Sequence, residues 1–200
     1  MSFADKLTWL RIILSPVFFI IFFLPVWFPQ ISGLAALTVP ILWTVAIIAE
    51  ITDLFDGMAA RKLKEVSDYG KIFDPFADTI MQITAFLCFV MLGIFPAILY
   101  LLVIYREFGI LFIRNLMQRK NITMGARMSG KVKTVTYITA GTIALIYVSL
   151  DRLDALVEFQ KYVRLTSVVI FYISVVFSVI SFFDYLNVYR KASKAESKDS

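Results

Sequence analysis

No histidine occurs in these 200 residues, and the single cysteine, Cys88, lies inside an apolar stretch. The first absence removes imidazole from the available acid–base groups and metal ligands; the second rules out an internal disulfide and any cluster of thiolate ligands. Cys88 is expected to be a small packing residue. Charge is scarce as well, with 18% of residues Asp, Glu, Lys or Arg against 60% hydrophobic. So little charge in so apolar a chain excludes an ordinary soluble domain, in which about a quarter of residues are charged. There is no internal repeat and no low-complexity linker. One membrane-embedded domain is therefore expected over 1–190, followed by a polar tail at 191–200, mobile and close to anionic headgroups.

What the chain does have is long apolar runs, at 9–28, 34–56, 72–93, 95–113, 134–150 and 165–189. Each approaches the length of about 20 residues that a helix needs to cross a bilayer. The expected fold is all-α and polytopic, with six transmembrane helices. Gly93-Ile94-Phe95-Pro96 is a short helix-breaking connection suited to a tight hairpin. No small-residue cleavage site follows the first run, so it is expected to be retained, with Pro25-Val26-Trp27-Phe28-Pro29 as an interfacial helix end. Of the 20 basic residues, Arg152, Lys161 and Arg164 lie in 151–164 and the other 17 flank the opposite ends of the runs. The positive-inside rule then places both termini on the cytoplasmic side.

Four carboxylates stand at the end of the second run and the start of the third: Asp53, Asp56, Asp74 and Asp78. The members of each pair lie three or four residues apart, which puts them on one face of a helix. Carboxylates gathered beside hydrocarbon stay ionised only if cations neutralise them. With no His, the ligands are oxygens alone, which suits Mg2+ or Mn2+, less so Ca2+, and the number of carboxylates points to more than one ion. Metal pairs of this kind are recurrent in phosphoryl transfer. The same aspartates also fit the ion path of a cation transporter, or a structural network with Arg61, Lys62 and Lys64. Gly57, Ala60, Arg61 and Gly70 favour the first reading, since close approach of a nucleotide to backbone calls for glycine and a proton relay does not.

The whole spacing, D-x2-D-G-x2-A-R-x8-G-x3-D-x3-D, is met by Asp53, Asp56, Gly57, Ala60, Arg61, Gly70, Asp74 and Asp78. It resembles the signature of the CDP-alcohol phosphatidyltransferases. The resemblance implies that the four aspartates hold two metal ions and that Asp78 is also the general base. It implies further that Asp53, Asp56, Gly57, Ala60, Arg61 and Gly70 frame the CDP moiety of a lipid donor, CDP-diacylglycerol. A homodimer in a bacterial cytoplasmic membrane, with its active site facing the cytoplasm, belongs to the same expectation. The partners expected are the donor, the acceptor and membrane lipids, with no nucleic acid.

The acceptor is expected to meet the stretch from Tyr105 to Thr134. Arg106 and Arg114 are eight residues apart and share a helix face, and Lys131 and Lys133 stand at the entry to the next run. Four such cations can bind a dianion, the arginines in bidentate fashion. Arg119, Lys120 and Arg127 read instead as topology markers and headgroup contacts. Arg106-Glu107-Phe108, Arg114, Gly130-Lys131-Val132-Lys133-Thr134 and, near the start, Leu7-Thr8-Trp9-Leu10-Arg11 resemble the members of the family that use sn-glycerol 3-phosphate. That resemblance adds Thr8 to the acceptor residues Arg106, Arg114, Lys131 and Lys133. Thr79 departs from it, standing where those members usually carry Lys, and Asp5 stands where Asn is common. Synthases of phosphatidylserine, phosphatidylinositol phosphate or cardiolipin would share the aspartates and differ in the acceptor pocket.

Overall fold

The computed structural model describes residues 3–63, 68–119 and 128–199, with side chains over 5–53, 73–118 and 130–191. Among these residues six helices follow one another: α1 (Phe3–Trp27), α2 (Leu34–Leu63), α3 (Asp68–Met91), α4 (Ala97–Arg119), α5 (Met128–Arg152) and α6 (Val157–Asp199). Among the described residues there is no strand, so the all-α expectation holds. Helices are the natural solution for an apolar chain, because hydrocarbon offers the backbone no hydrogen-bond partner and an α-helix satisfies its own. Pro16, Pro25, Pro40 and Pro75 all lie inside helices. Two of these sites carry a threonine one turn later, Thr44 Oγ1 donating to Pro40 O and Thr79 Oγ1 to Pro75 O, both at 2.8 Å.

Among the described residues five segments are long and apolar enough to cross a membrane: Asp5–Trp27, Leu34–Asp53, Phe73–Met91, Gly130–Arg152 and Val157–Lys191. Large apolar side chains such as Ile13, Leu37, Ile47, Val176 and Phe183 are exposed along them, as expected where lipid is the solvent. The chain thus reads as an integral membrane protein. The run expected at 95–113 is helical as α4, but it is not one of the five, since Arg106, Glu107 and Arg114 interrupt its apolar character. The helices also outlast the runs. α6 continues to Asp199 through the polar tail, whose Lys, Ala and Glu residues are good helix formers.

The chain divides into two compact units, one of residues 1–93 and 146–161, the other of 94–145 and 162–200. In the first, α1 packs against both α2 and α3. Phe18 and Phe22 of α1, Leu42 and Ala49 of α2, and Ala77, Phe86 and Phe89 of α3 are buried, with Phe22 edge-on to Phe89 at 5.8 Å. Arg152, at the end of α5, lies over the Phe22 ring and donates to Phe22 O and to Thr38 Oγ1, while Trp43 Nε1 donates to Ser149 Oγ at 3.0 Å. The short connection after α3 uses Gly93 at φ +68°, a left-handed conformation that suits glycine, and α4 begins directly after Pro96.

In the second unit, Phe95 stacks on Phe171 with ring centroids 4.0 Å apart. Gly109 of α4 lies against the ring of Phe182 on α6: a Cβ built on it would stand 2.8 Å from Cε2 of that ring. Gly109→Val is expected to destabilise the protein by about 1–3 kcal/mol through overpacking. Thermal unfolding in detergent checks this, and adding Phe182→Ala is expected to return part of the loss.

Candidate active site

Asp53 lies on α2, and Asp74 and Asp78 lie on α3. What brings them together is α1. Arg11 is 2% exposed, yet its guanidinium reaches both helices, with Nη1 donating to Asp53 Oδ1 at 2.9 Å and Nε 3.3 Å from Asp78 Oδ1. One turn earlier on the same face, Thr8 Oγ1 donates to Asp74 Oδ1. One turn later, Ser15 Oγ donates to Thr84 Oγ1 at 2.7 Å. Residues 8, 11 and 15 thus form a polar stripe on an otherwise apolar helix, and each finds a partner on α2 or α3.

Three of the four expected metal ligands therefore surround one face of α1. Among the described residues no three acidic, His or Cys side chains gather closely enough to hold an ion by themselves. Asp56, Gly57, Ala60 and Arg61 fall on the α2 backbone and Gly70 on that of α3, but their side chains lie outside the described ones. The donor chemistry of Asp53, Asp74 and Asp78 fits a hard divalent cation: oxygen atoms only, on side chains of which Asp53 and Asp78 keep about half of their surface open (53% and 47%).

Two residues carry more of this site than the sequence suggested. Thr8, grouped with the acceptor residues, is placed on a carboxylate. Arg11, read as a motif member and a topology marker, is the largest fully buried side chain described. A signal was present, since a lone arginine entering an apolar run must find an anion.

The basic residues expected at the acceptor lie in the other compact unit and divide into two kinds. Arg106 is buried and Lys133 half-buried, and the two are joined by Glu107, which accepts from Arg106 Nη1 and from Lys133 Nζ, both at 2.9 Å. The rest of the Arg106 guanidinium donates to Ser178 O at 3.2 Å and to Ser181 Oγ at 3.0 Å on α6. Lys133 Nζ sits 4.5 Å from the centre of the Tyr137 ring, and Tyr137 Oη donates to Ser178 Oγ at 2.7 Å. Arg114 and Lys131 are exposed. Arg114 is near α6 too, with Nη2 3.4 Å from Tyr185 Oη and its guanidinium over that ring. Ser178, Ser181 and Tyr185, spaced three and four apart, are the face of α6 that receives these groups.

The family model described as CDP-alcohol phosphatidyltransferase matches residues 1–185 of this all-helical chain. The chain belongs to that family, in which use of divalent metals is general. Among its relatives is a protein of Treponema pallidum (strain Nichols) named CDP-diacylglycerol--glycerol-3-phosphate 3-phosphatidyltransferase, 33% identical over 94% of this chain and 89% of the relative. Proteins of the same name from Bacillus subtilis (strain 168) and Yersinia enterocolitica are 34% and 31% identical, over 72% and 90% of this chain and 76% and 92% of their own lengths.

Glu107→Ala leaves the buried Arg106 and the half-buried Lys133 without the anion they share, and removing one partner of a buried pair such as Arg106–Glu107 costs about 3–5 kcal/mol. The variant is expected to unfold at a markedly lower temperature in detergent, and Glu107→Gln, which keeps hydrogen-bonding capacity, is expected to lose less.

Proposed function

We propose that this protein transfers the phosphatidyl group of CDP-diacylglycerol to sn-glycerol 3-phosphate, giving phosphatidylglycerol phosphate and CMP. The observation that carries the reading is the agreement of relatives aligned over most of the chain, all named for this reaction. In the reaction the acceptor hydroxyl oxygen forms a bond to the lipid-linked phosphorus while the bridging P–O bond to CMP breaks. The electron pair leaves with CMP, and the hydroxyl proton passes to Asp78. Asp53, Asp56, Asp74 and Asp78 would hold the divalent cations, Mg2+ or Mn2+ and two in number on our reading. Such cations, when bound, stabilise charge on the donor diphosphate and the leaving group. Asp53, Asp56, Gly57, Ala60, Arg61 and Gly70 bind the CDP moiety. Arg106, Arg114, Lys131 and Lys133 bind the acceptor phosphate, with the exposed Arg114 and Lys131 the more open to direct contact.

One catalytic domain over 1–190 is favoured by a family match that runs to residue 185. Six membrane-crossing helices, with α4 as the sixth, and cytoplasmic termini follow from the distribution of Lys and Arg. This topology sets the site on the cytoplasmic side of a bacterial membrane, where a lipid donor and a soluble acceptor both have access. A homodimer completes the reading.

The decisive assay follows CMP release from CDP-diacylglycerol by the purified protein. Release is expected to require glycerol 3-phosphate, to stop in excess EDTA and to return with Mg2+ or Mn2+. Equal rates with serine or glycerol would overturn the acceptor assignment. In the same assay Arg114→Ala and Lys131→Ala are each expected to lower kcat/KM for glycerol 3-phosphate roughly ten- to hundred-fold, the loss of one charge-assisted hydrogen bond of about 1.5–3 kcal/mol. The KM for CDP-diacylglycerol is expected to stay close to that of the wild type. Asp78→Asn, which removes a ligand charge and the base together, is expected to lower kcat by at least the ~100- to 10,000-fold typical of a lost general base.

A further inference from the structure

We propose that Arg11 is a resident counter-cation of the carboxylate site, bridging Asp53 on α2 to Asp78 on α3 and setting how tightly the site takes divalent metal. The inference rests on the reading of these aspartates as metal ligands and extends it to a residue outside the aspartate motif.

Three observations carry it. Arg11 is almost fully buried, and its guanidinium meets carboxylates from two different helices at 2.9 and 3.3 Å. Both contacts use Oδ1, while the Asp53 and Asp78 side chains keep about half of their surface open. Thr8, one turn away, holds Asp74 in the same manner, so a single face of α1 braces all three described carboxylates.

The electrostatic consequence follows from the sign of the charges. A guanidinium stays protonated in a protein, so its positive charge is permanent. It offsets the mutual repulsion of Asp53 and Asp78 whether or not a metal is bound. A divalent cation approaching the same carboxylates meets one unit less of negative charge than the aspartates alone would present. Arg11 thereby stabilises the protein in the absence of metal and weakens metal binding when metal is supplied. A mere staple between helices would act differently, stabilising the protein equally in both conditions. Arg11 is on this account a positioning residue whose effect depends on metal.

The test compares wild-type protein with Arg11→Gln and Arg11→Lys in detergent micelles, reading the free Mn2+ signal by electron paramagnetic resonance and thermal unfolding in EDTA and in saturating Mn2+. Arg11→Gln is expected to bind Mn2+ about tenfold more tightly, the effect of roughly 1.4 kcal/mol of relieved repulsion. It is also expected to unfold well below the wild type in EDTA and to recover most of that difference in Mn2+. Arg11→Lys keeps the charge and is expected to match the wild-type affinity within about twofold. A variant that loses the same stability in both conditions, or binds Mn2+ equally or more weakly, overturns the proposal while leaving the metal site standing. A wild-type protein that binds no Mn2+ overturns the metal reading and this inference together. Should Arg11→Gln fail to fold, the Arg11 Nε–H resonance of the wild type provides the check. Mg2+ is expected to shift it and Mn2+ to broaden it, and a resonance indifferent to both sinks the idea.

Discussion

A charge inside an apolar helix must be met by an opposite charge or a hydrogen-bond partner within reach of its own side chain, because neither lipid nor a packed core will solvate it. Much of this structure is arranged around that constraint. Arg11 meets Asp53 and Asp78, Arg106 meets Glu107 and α6, and Arg152 meets Thr38, Phe22 O and the face of the Phe22 ring. Arg11 and Arg106 also reach a second helix, so satisfying the charge and joining the helices are one act. The dispersion contacts of Phe22, Phe86 and Phe89 supply bulk, but nothing in them distinguishes one rotation of a helix from another. The polar pairs do, since a guanidinium that misses its carboxylate leaves two groups buried and unmet.

This accounts for how much could be read from the sequence. The helices were legible because apolar length is a local property, and each of the six runs lies within an observed helix apart from a residue or two at a turn. Their ends were less so: Lys-, Ala- and Glu-containing segments such as 191–199 remain helical past the apolar stretch, and α4 combines a helical run with charges that dilute its hydropathy. That Asp74 and Asp78 both turn toward α1 is consistent with their helical spacing, while the Asp56 side chain lies outside the described ones. The role of α1 was not legible, because Thr8 and Arg11 are more than forty positions from the carboxylates they touch, and sequence spacing says nothing about partners across helices. Arg11 was visible as a cation. That its anions would be two of the metal-motif aspartates was not.

Glu107 illustrates the same limit. In the sequence it is a lone acid beside Arg106, able to offset one cation. In the structure it spans Arg106 of α4 and Lys133 of α5, a separation of 26 positions from the lysine, and turns two cations and one anion into a unit with net charge +1. Tyr137, Ser178 and Ser181 complete that unit without any motif to mark them, because their contribution is to satisfy donors that a helix interior would otherwise strand.

The division of the basic cluster into a salt-bridged triad and two exposed heads bears on how an acceptor would be chosen under the proposed reading. Four mobile cations would repel one another and collapse onto any anion, a headgroup as readily as a substrate. Here Arg106 and Lys133 are immobilised by Glu107 and by α6, so their conformational entropy is already lost on folding and their field is fixed in direction. Arg114 and Lys131 remain to make direct contact, and with the triad they present a net charge of +3. A dianionic phosphate matches that field, whereas a zwitterionic or uncharged alcohol offers it no net charge. Under the proposed reading the buried glutamate would serve specificity by holding Arg106 and Lys133 in place, even though it carries the acceptor's own sign.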